Sequence, residues 1–161
     1  MTPVVAVIGW SNSGKTTMIK ELITELKRRD YRVATIKHDA HKFKIDKPGK
    51  DSWIHRKAGA ELVMLTSRDK VAMIKEIQKP IPVDELIEDY IEQDNFDLII
   101  IEGYKSGQYP KIEVFRPGKY DQPIYEEDEV FYRVSNDFDG VDGFYDEAIK
   151  VADKLETNLM D

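Results

Sequence analysis

Residues Gly9–Thr16, with the sequence GWSNSGKT, decide the fold of this 161-residue chain. They match the pattern G-x-x-x-x-G-K-[ST], which is typical of a loop that binds phosphate. The β-branched run at residues 4–8 (VVAVI) comes just before the loop and predicts one buried strand. After the loop, apolar residues recur at helical spacing from Met18 to Leu26, which predicts a helix that begins at about Gly14. Strand, glycine loop and helix N-terminus together form an anion site, because backbone N–H groups and the helix dipole favour negative charge there.

The individual residues of the loop suit a phosphate ligand. Gly9 and Gly14 allow backbone conformations and close approaches that a Cβ atom would block. Lys15 can reach β- and γ-phosphates, and the Thr16 hydroxyl can ligate Mg²⁺. Trp10, inside the loop, is expected to lie over the loop or over the nucleotide. We therefore predict that a nucleoside phosphate binds to Gly9, Trp10, Ser11, Asn12, Ser13, Gly14, Lys15, Thr16 and Thr17.

Composition narrows the function classes. A net charge of −7, without a basic stripe that includes aromatic residues, argues against nucleic acid as a partner. The chain contains no cysteine, which excludes disulfides, thiolate metal sites and thiol catalysis. The longest apolar runs, such as residues 98–101, are too short to cross a membrane. Met1–Pro3 lead straight into the first strand and leave no room for a signal peptide, so we expect a cytoplasmic protein.

Strand and helix patterns alternate along the rest of the chain. Residues 31–37 predict a second strand, which would pair in parallel with the first through a right-handed crossover. Further strands are predicted at residues 61–66, 70–77, 97–101, 111–116 and 130–134, and further helices at 51–60, 83–91 and 144–159. Prolines around the strands at 111–116 and 130–134 indicate antiparallel or edge elements. We predict one α/β domain over residues 1–161, with a mostly parallel sheet flanked by helices and an appended antiparallel portion.

Residues 97–105 (DLIIIEGYK) resemble the second nucleotide-binding motif, an apolar strand that ends in a carboxylate. Glu102 stands at the carboxyl end of this strand, where it could hold a metal ion through water or position a nucleophile. Asp97 stands at the other end, roughly 16 Å away along a strand, and is a poor candidate for Mg²⁺. Gly103 would let the backbone turn sharply, and Lys105 could lean over the phosphates.

A charged segment follows the second strand. It contains Lys37, His38 and His41 and continues with DKPGKDS at residues 46–52. Ligands of open α/β sheets bind beyond the carboxyl ends of the strands, so this segment is expected to face the same crevice as the glycine loop. Three interpretations of the two histidines stay open: metal ligation, a solvated loop, or contact with the nucleotide or a second substrate.

Residues 135–137 (SND) follow the last predicted strand and allow two interpretations. A carboxylate there could accept hydrogen bonds from the N1–H and N2–H edge of guanine. Asn-Asp is equally ordinary chemistry for a turn. Because the chain contains no N-K-x-D motif, the sequence does not identify the base.

Three blocks together resemble one known family: GWSNSGKTT at 9–17, KHDAHKFKIDKPGKDSWIHRKAGA at 37–60 and DLIIIEGYK at 97–105. This is the MobB family, the GTP-binding adaptor proteins of molybdopterin-guanine dinucleotide biosynthesis. The resemblance implies a P-loop NTPase fold of the dethiobiotin-synthetase-like class, a homodimer, and binding of GTP with Mg²⁺. It also implies weak GTPase activity and association with the molybdenum cofactor guanylyltransferase that joins GMP to the cofactor. Direct contact between molybdopterin and this chain stays open.

The resemblance also assigns site residues by position. Gly14, Lys15 and Thr16 match the phosphate and magnesium residues of the family. Its other signature positions fall on Lys37, His38, His41, Asp46, Lys50, Asp51, Glu102, Gly103 and Lys105. On this basis the candidate metal ligands are Thr16, Asp46, Asp51 and Glu102, and the candidate catalytic residues are Lys15 and Glu102. Lys37, His38, His41, Lys50 and Lys105 join the loop as candidate nucleotide contacts.

Other classes of nucleotide-binding protein fit the sequence less well. A small-molecule or nucleotide kinase would carry several lid arginines, but Arg56 and Arg68 are the only arginines in the middle third. A nickel-delivery GTPase is weakened by the missing cysteines, although His38 and His41 keep that alternative open. A partition-type ATPase is disfavoured because residues 10–13 contain no second lysine. A module that only binds nucleotide is the alternative that is not an enzyme.

The expected homodimer interface lies in residues 111–134. Lys111–Phe115 alternate in polarity and are bounded by prolines, which suits an edge strand. An edge strand with an apolar face pairs readily with another chain unless it is blocked. In a two-fold dimer that pairing would be self-complementary.

Overall fold

The computed structural model describes residues 1–38, 45–138, 140 and 142–160 of the chain. The chain folds as two compact units, one of Met1–His38 with Glu88–Asp161 and the other of Asp39–Ile87. The expectation of one domain over residues 1–161 stays a prediction. The helices are α1 (Lys15–Arg28), α2 (Asp51–Lys57), α3 (Val83–Tyr90) and α4 (Asp142–Leu155), with short helical turns at Glu92–Asp94, Glu127–Glu129 and Glu156–Met160. The strands are β1 (Val4–Ile8), β2 (Val33–Lys37), β3 (Leu62–Thr66), β4 (Val71–Lys75), β5 (Leu98–Glu102), β6 (Lys111–Phe115) and β7 (Tyr132–Ser135).

The first unit is built on a five-stranded sheet in the order β2-β5-β1-β6-β7. Each neighbouring pair is parallel. The central strands are runs of Val and Ile, which is typical of strands buried on both faces of a parallel sheet. Because the strands are parallel, their carboxyl ends share one edge, and the glycine loop leaves β1 at that edge. The predicted mostly parallel α/β fold is confirmed.

The core of this unit lies between the sheet and two helices. Alternate residues of a strand share a face, so one face of the sheet presents Val5 and Val7 together with Leu98 and Ile100. These residues pack against the apolar stripes of α1 and α4, formed by Met18, Leu22, Leu26, Ala148, Val151 and Leu155. Among the helices that the described residues form, none combines the length and the apolar character that crossing a membrane would need.

A buried carboxylate ties α1 to the C-terminal helices. Glu25 of α1 is fully buried and accepts hydrogen bonds from Arg28 and Arg29 at 2.7–2.8 Å. Arg29 also pairs with Asp153 and Glu156, at 2.8 and 2.6 Å. The hydrogen bond from Arg28 lowers the pKa of the Glu25 carboxyl from its ordinary 4.5 to about 2, against the opposing effect of burial and with further help from Arg29.

The expectation of antiparallel or edge strands is wrong for residues 111–116, and for residues 130–134 it is right only in that β7 is an edge strand of the sheet. Neither is antiparallel, because β6 pairs in parallel with both β1 and β7. Nor is β6 an edge strand, and its residues Ile112, Glu113 and Val114 are fully buried. The prolines that suggested an edge lie in the connections, and the chain between β6 and β7 is long enough for the crossover that parallel strands require. The expected dimer contact through the edge of Lys111–Phe115 is therefore excluded.

The antiparallel portion lies in the second unit instead. There β3 and β4 form a two-stranded sheet in which Met64 stands opposite Met73 and Thr66 opposite Val71. Residues on one face of this pair, Leu62, Met64, Val71 and Met73, are 40–64% exposed. Two strands alone are marginally stable in water, so an exposed apolar face on such a pair points to a contact with another surface.

Replacing Glu25 with Gln tests the buried carboxylate. The folded-state pKa is depressed, so its stabilising contribution is present above about pH 4.5 and disappears as the pH falls towards about 2. We expect Glu25→Gln to lower the free energy of unfolding by about 1.5–3 kcal/mol at pH 7 through loss of charge-assisted hydrogen bonds. Close to pH 2 the variant and the wild type should be equally stable. Urea denaturation at both pH values measures this difference.

The matched control is Glu85→Gln, which makes the same substitution at an exposed position of α3. It should change the free energy of unfolding by less than about 0.5 kcal/mol at either pH. A Glu25→Gln variant that is destabilised equally at pH 7 and pH 2 would mean that packing, and not charge, accounts for the effect.

Candidate phosphate-binding site

The glycine loop has two positions that only glycine can occupy. Gly9 has φ +150° and Gly14, the residue before α1, has φ +106°, both in the region that side chains rarely adopt. A Cβ atom on Gly9 would lie 2.4 Å from the carbonyl oxygen of Val114, and one on Gly14 would lie 2.4 Å from the ring of Phe144. The two glycines of the motif are thus required by the sheet and by α4, and they bring the loop backbone close against both.

Lys15 lies across the loop. Its Nζ atom donates to the carbonyl oxygens of Gly9 and Trp10, at 3.2 and 2.7 Å. Burial lowers the pKa of the Lys15 ammonium; Glu102 opposes this shift, and Lys105 and Lys37 reinforce it. A cation that is partly desolvated beside other lysines gains from an incoming anion, so the arrangement favours binding of negative charge.

Thr16 and Glu102 meet at the shared edge of the sheet. The Thr16 hydroxyl donates to a carboxylate oxygen of Glu102 at 3.2 Å, and the Lys37 ammonium lies 3.4 Å from the same oxygen. Sheet register explains the contact, because Glu102 stands beside both Val7 and Lys37. At the opposite end of β5, Asp97 accepts a hydrogen bond from the backbone N–H of Arg32 at 2.7 Å. The predicted polarity of β5 is confirmed.

A cavity opens in front of the loop. It encloses about 460 Å³, within the size range of small-molecule sites. The residues that line it are Ser11, Asn12, Gly14, Lys15, Thr16, Thr17, Lys37 and Glu102. The first backbone N–H groups of α1 have no partner within the helix. Gly14, the residue before the helix, has no side chain to cap them, and Gly14 and Lys15 both line the cavity.

The oxygen donors at this cavity suit a magnesium-bound phosphate. Mg²⁺ prefers oxygen ligands and is usually held by one or two protein groups together with phosphate oxygens. Thr16 and Glu102 supply a hydroxyl and a carboxylate 3.2 Å apart. The chemistry of Thr16 and Glu102 therefore fits the metal ion of a bound oligophosphate. Ser13 belongs to the same loop and its buried hydroxyl has no hydrogen-bond partner among the described residues, but it is not one of the residues that line the cavity.

Trp10 is not one of the residues that line the cavity, and its indole packs against the chain after β6. Its indole stacks on Tyr120 with ring centroids 5.6 Å apart, and its Nε1–H donates to the carbonyl oxygen of Gln122 at 3.1 Å. The Lys105 ammonium lies 4.8 Å from the centre of the indole ring. The Trp10 ring thus holds the Lys105 ammonium near the loop.

Two further side chains reach the loop from distant parts of the sequence. The Tyr120 hydroxyl donates to the carbonyl oxygen of Ser11 at 2.5 Å, and the Asn136 side-chain amide donates to that of Ser13 at 2.7 Å. Sequence reasoning missed Tyr120 and considered Asn136 only as a turn or a base contact. One feature of the sequence could have indicated the contact of Asn136 with the loop. Asn136 follows a predicted strand, and the carboxyl ends of parallel strands lie at the same edge of the sheet as the glycine loop.

The remaining candidate residues are distributed over both units. His38 follows β2, where its backbone N–H donates to the Glu102 carbonyl oxygen at 3.0 Å and its ring lies against Tyr104. His41 lies outside the described residues. In the second unit, Asp46 accepts from the Ser52 hydroxyl at 2.9 Å and is 3.4 Å from Arg56.

Lys50 and Asp51 are exposed at the start of α2 in the second unit. Of the candidate metal ligands, the structure brings Thr16 and Glu102 together in the first unit, while Asp46 and Asp51 belong to the second. The described residues contain no cluster of three or more His, Cys, Asp or Glu side chains arranged around a metal position. Roles for Lys50, Asp46 and Asp51 stay predictions.

Comparison with known proteins gives consistent results. The family model "MobB: Molybdopterin guanine dinucleotide synthesis protein B" matches residues 4–136, a range that includes the loop, Glu102, Tyr120 and Asn136. The molybdopterin-guanine dinucleotide biosynthesis adapter protein of Haemophilus influenzae is 37% identical over 136 residues, covering 84% of this chain and 75% of that protein. The protein of the same name from Escherichia coli is 38% identical over 124 residues, covering 76% and 71%.

Solved structures share the fold. A crystal structure of molybdopterin-guanine biosynthesis protein B (mobB) aligns with a TM-score of 0.70 at 26% identity, covering 98% of this chain and 99% of that one. The crystal structure of Bacillus subtilis MobB aligns with a TM-score of 0.69 at 21% identity, covering 94% and 97%. At 21% identity, the similarity to the Bacillus subtilis structure shows a shared fold and nothing more.

Proposed function

This chain belongs to the MobB family, and from that membership we propose that it is an adapter in molybdopterin guanine dinucleotide biosynthesis that binds GTP with Mg²⁺. The observation that carries the proposal is the glycine loop with Thr16 in contact with Glu102, within a segment that the family model matches from residue 4 to 136. The proposed partner is the guanylyltransferase that joins GMP to the molybdenum cofactor. Relatives named as adapters of this pathway support the role.

The loop would hold the phosphates of the nucleotide. Lys15 exchanges the carbonyl oxygens of Gly9 and Trp10 for phosphate oxygens, which are stronger acceptors because they are charged. Lys37 and Lys105 stand near the same edge and add positive charge. The chain as a whole carries a net charge of −7, so this local excess of lysine is what makes an anion bind here and not elsewhere.

Thr16 and Glu102 would hold the magnesium ion. The Thr16 hydroxyl is placed to ligate it directly, and Glu102 directly or through water, after each gives up the hydrogen bond between them. Bound Mg²⁺ neutralises charge on the phosphate oxygens. Asp46 and Asp51 stay as further candidates from the resemblance. Lys37, whose ammonium is 3.4 Å from a Glu102 carboxylate oxygen, helps to orient that carboxylate towards the loop.

Slow hydrolysis fits an adapter. Fast GTPases use an arginine and a glutamine to stabilise the transition state and to orient water. The residues that line the described cavity include neither. We therefore propose that the chain alone hydrolyses GTP at roughly 10⁻⁴ to 10⁻² per second, as GTPases without these groups do. The same lining disfavours the kinase alternative, which needs arginines at the transferred phosphoryl group.

The homodimer that the family resemblance implies would form through β3 and β4. The face with Leu62, Met64, Val71 and Met73 exposes apolar side chains of a sheet that has only two strands. A second copy is the occupant that we propose, since Met64 and Met73 stand opposite each other at the middle of the face and a two-fold axis there makes the surface complementary to itself. The proposed location is the cytoplasm, where GTP and the guanylyltransferase would meet the chain.

Lys15→Ala tests the nucleotide site and the adapter role together. Loss of a charged contact to phosphate should weaken binding of Mg²⁺·GTP by about 2–4 kcal/mol, with the fold intact because Lys15 is not part of the core. Calorimetry measures this loss. The wild type should also raise the yield of molybdopterin guanine dinucleotide in a reaction with the guanylyltransferase, and Lys15→Ala should not.

Lys20→Ala serves as the control for Lys15→Ala, because Lys20 is an exposed lysine on the same helix. It should bind Mg²⁺·GTP like the wild type. Wild-type affinity in Lys15→Ala would refute the nucleotide site, and a yield that is independent of the chain would refute the adapter role. Tighter binding of ATP than of GTP would move the chain to another nucleotide class.

Glu102→Gln, compared with Asp97→Asn, tests the metal assignment. Each substitution removes one carboxylate charge. Asp97 comes directly before β5 and Glu102 is the last residue of β5, and of the two only Glu102 contacts Thr16. We expect Glu102→Gln to reduce the gain in GTP affinity on adding Mg²⁺ by about tenfold or more, since a metal-ligating charge is lost. Asp97→Asn should leave that gain unchanged. Equal losses in the two variants, from titrations with and without Mg²⁺, would contradict the role of Glu102.

Met64→Lys tests the dimer. Light scattering should give twice the 18.7 kDa mass of one chain for the wild type and the single-chain mass for Met64→Lys, because a charge would be buried in the interface. Tyr145→Lys, at an exposed position of α4, should remain a dimer. A monomeric wild type with and without GTP would reject the homodimer, whereas a dimer that survives Met64→Lys would reject only this interface.

A further inference from the structure

The carbonyl oxygens of the glycine loop are held by side chains, and two of these come from far along the chain. Lys15 bonds the carbonyls of Gly9 and Trp10 from within the motif. The Ser11 carbonyl accepts from the Tyr120 hydroxyl at 2.5 Å, and the Ser13 carbonyl accepts from the Asn136 amide at 2.7 Å. Tyr120 and Asn136 follow β6 and β7 respectively, so they reach the loop from the carboxyl edge of the sheet.

Holding a carbonyl also fixes the direction of the next N–H group. A trans peptide is planar, so its C=O and N–H bonds point in opposite directions. The hydrogen bond to Ser11 therefore orients the N–H of Asn12, and the one to Ser13 orients the N–H of Gly14. Both Asn12 and Gly14 line the cavity. When the carbonyl oxygens point away from the cavity, the N–H groups of the same peptides point towards it. Backbone N–H groups that converge on one cavity form an anion-binding site.

The loop conformation needs such support. Asn12 has φ +56°, a left-handed conformation that asparagine adopts more readily than most residues with a side chain but that is still less favourable than the right-handed one. Strained backbone of this kind persists where the surrounding structure holds it. Tyr120 contacts the Ser11–Asn12 peptide, which precedes the Cα atom of Asn12, and Asn136 contacts the Ser13–Gly14 peptide, which follows Ser13. The hydrogen bonds and the strained residue thus fall on the same three-residue segment.

Tyr120 is itself held in place. Its ring stacks on Trp10, and the indole N–H of Trp10 donates to Gln122, two residues beyond. Slightly further along, the backbone N–H of Ile124 donates to Glu113, a fully buried carboxylate that also pairs with Arg133 at 3.1 Å. The segment that contains Tyr120 is therefore fixed to the sheet through Glu113. A hydrogen bond from the Tyr120 hydroxyl can then fix the position of the Ser11 carbonyl in the loop.

We propose that Tyr120 and Asn136 are positioning residues that hold the phosphate loop in its binding conformation before the ligand arrives. This inference rests on the proposed function, because it concerns how the same loop receives a triphosphate. It adds residues that neither the motif nor its spacing contains. They preorganise the loop. Because its peptides are already ordered in the free protein, ligand binding costs less conformational entropy and is therefore tighter.

The test uses Tyr120→Phe and Asn136→Ala in the full chain, with inorganic tripolyphosphate and Mg²⁺ as the probe. Tripolyphosphate has no base, so the measurement isolates the loop from guanine recognition. Tyr120→Phe keeps the ring that stacks on Trp10 and removes only the hydroxyl. We expect each variant to bind the probe about three- to tenfold more weakly by calorimetry, the effect of one hydrogen bond. Tyr145→Phe, which removes a hydroxyl from an exposed position on α4, is the matched control and should bind like the wild type.

A second measurement uses the protein without any ligand. Amide hydrogen exchange in the peptide that spans residues 10–16 should be faster in Tyr120→Phe and Asn136→Ala than in the wild type, while exchange in β1 and β5 stays the same. A merely structural role would instead lower the thermal midpoint and speed exchange throughout the sheet. Weaker binding together with faster exchange confined to the loop supports the positioning role.

Unchanged affinity or unchanged loop exchange in a folded Tyr120→Phe variant would overturn the inference. Exchange that rises throughout the sheet would overturn it as well, since the residues would then support the fold and not the loop. A wild type that binds tripolyphosphate but not GTP would refute the proposed function alone. If the wild type binds neither, the proposed function fails, and the exchange of the loop amides still decides whether Tyr120 and Asn136 hold it.

Discussion

Parallel pairing of β1 with β5 is the constraint on which the candidate site depends. The glycine loop leaves the carboxyl end of β1, and Glu102 ends β5 at the same edge, in register beside Val7. Any antiparallel arrangement of these two strands would place Glu102 at the far side of the sheet. The contact between Thr16 and Glu102 at 3.2 Å follows from this pairing together with the start of α1 directly after the loop. β2 then adds Lys37 through its own parallel pairing with β5.

Charges inside the first unit fall into two groups with different physical roles. Glu25 and Glu113 are fully buried and are paired with arginines, Glu25 with Arg28 and Arg29 and Glu113 with Arg133. Buried carboxylates need such partners, and these pairs hold one helix and one crossover segment in place. The charges at the loop are lysines and one carboxylate, which stand at an open cavity and can exchange their partners for a ligand. The proposed GTP site thus uses lysines that can exchange their present partners for phosphate, whereas Arg28, Arg29 and Arg133 pair with the buried carboxylates of the fold.

Because the cavity is lined by lysines and the paired arginines lie elsewhere, an adapter is a better proposal than a fast enzyme. The cavity has a cradle for phosphate and oxygen donors for a metal ion, but its described lining has no arginine or glutamine to act on water or on a transferred phosphoryl group. A nucleotide held in this way would persist long enough to be presented to another protein. The exposed apolar face of β3 and β4 offers a separate surface for association, here proposed as the contact with a second copy.

The sequence by itself determined the local features of this protein. The strand at 4–8, the glycine loop, the helix after it and Glu102 at the end of β5 follow from short-range patterns, because side-chain periodicity and glycine requirements act within a few residues. The predicted fold class, a mostly parallel sheet flanked by helices, is also confirmed, because alternating strand and helix patterns favour parallel pairing through crossovers. Tertiary structure decided what depends on distant contacts. Residues Lys111–Phe115 alternate like an edge strand, yet β6 lies inside the sheet, since pairing partners are chosen by the packing of the whole unit. The antiparallel pair of the structure is β3 with β4. Tyr120 and Asn136 meet the loop across more than 100 residues of sequence, a contact that only the arrangement of the parallel strands creates.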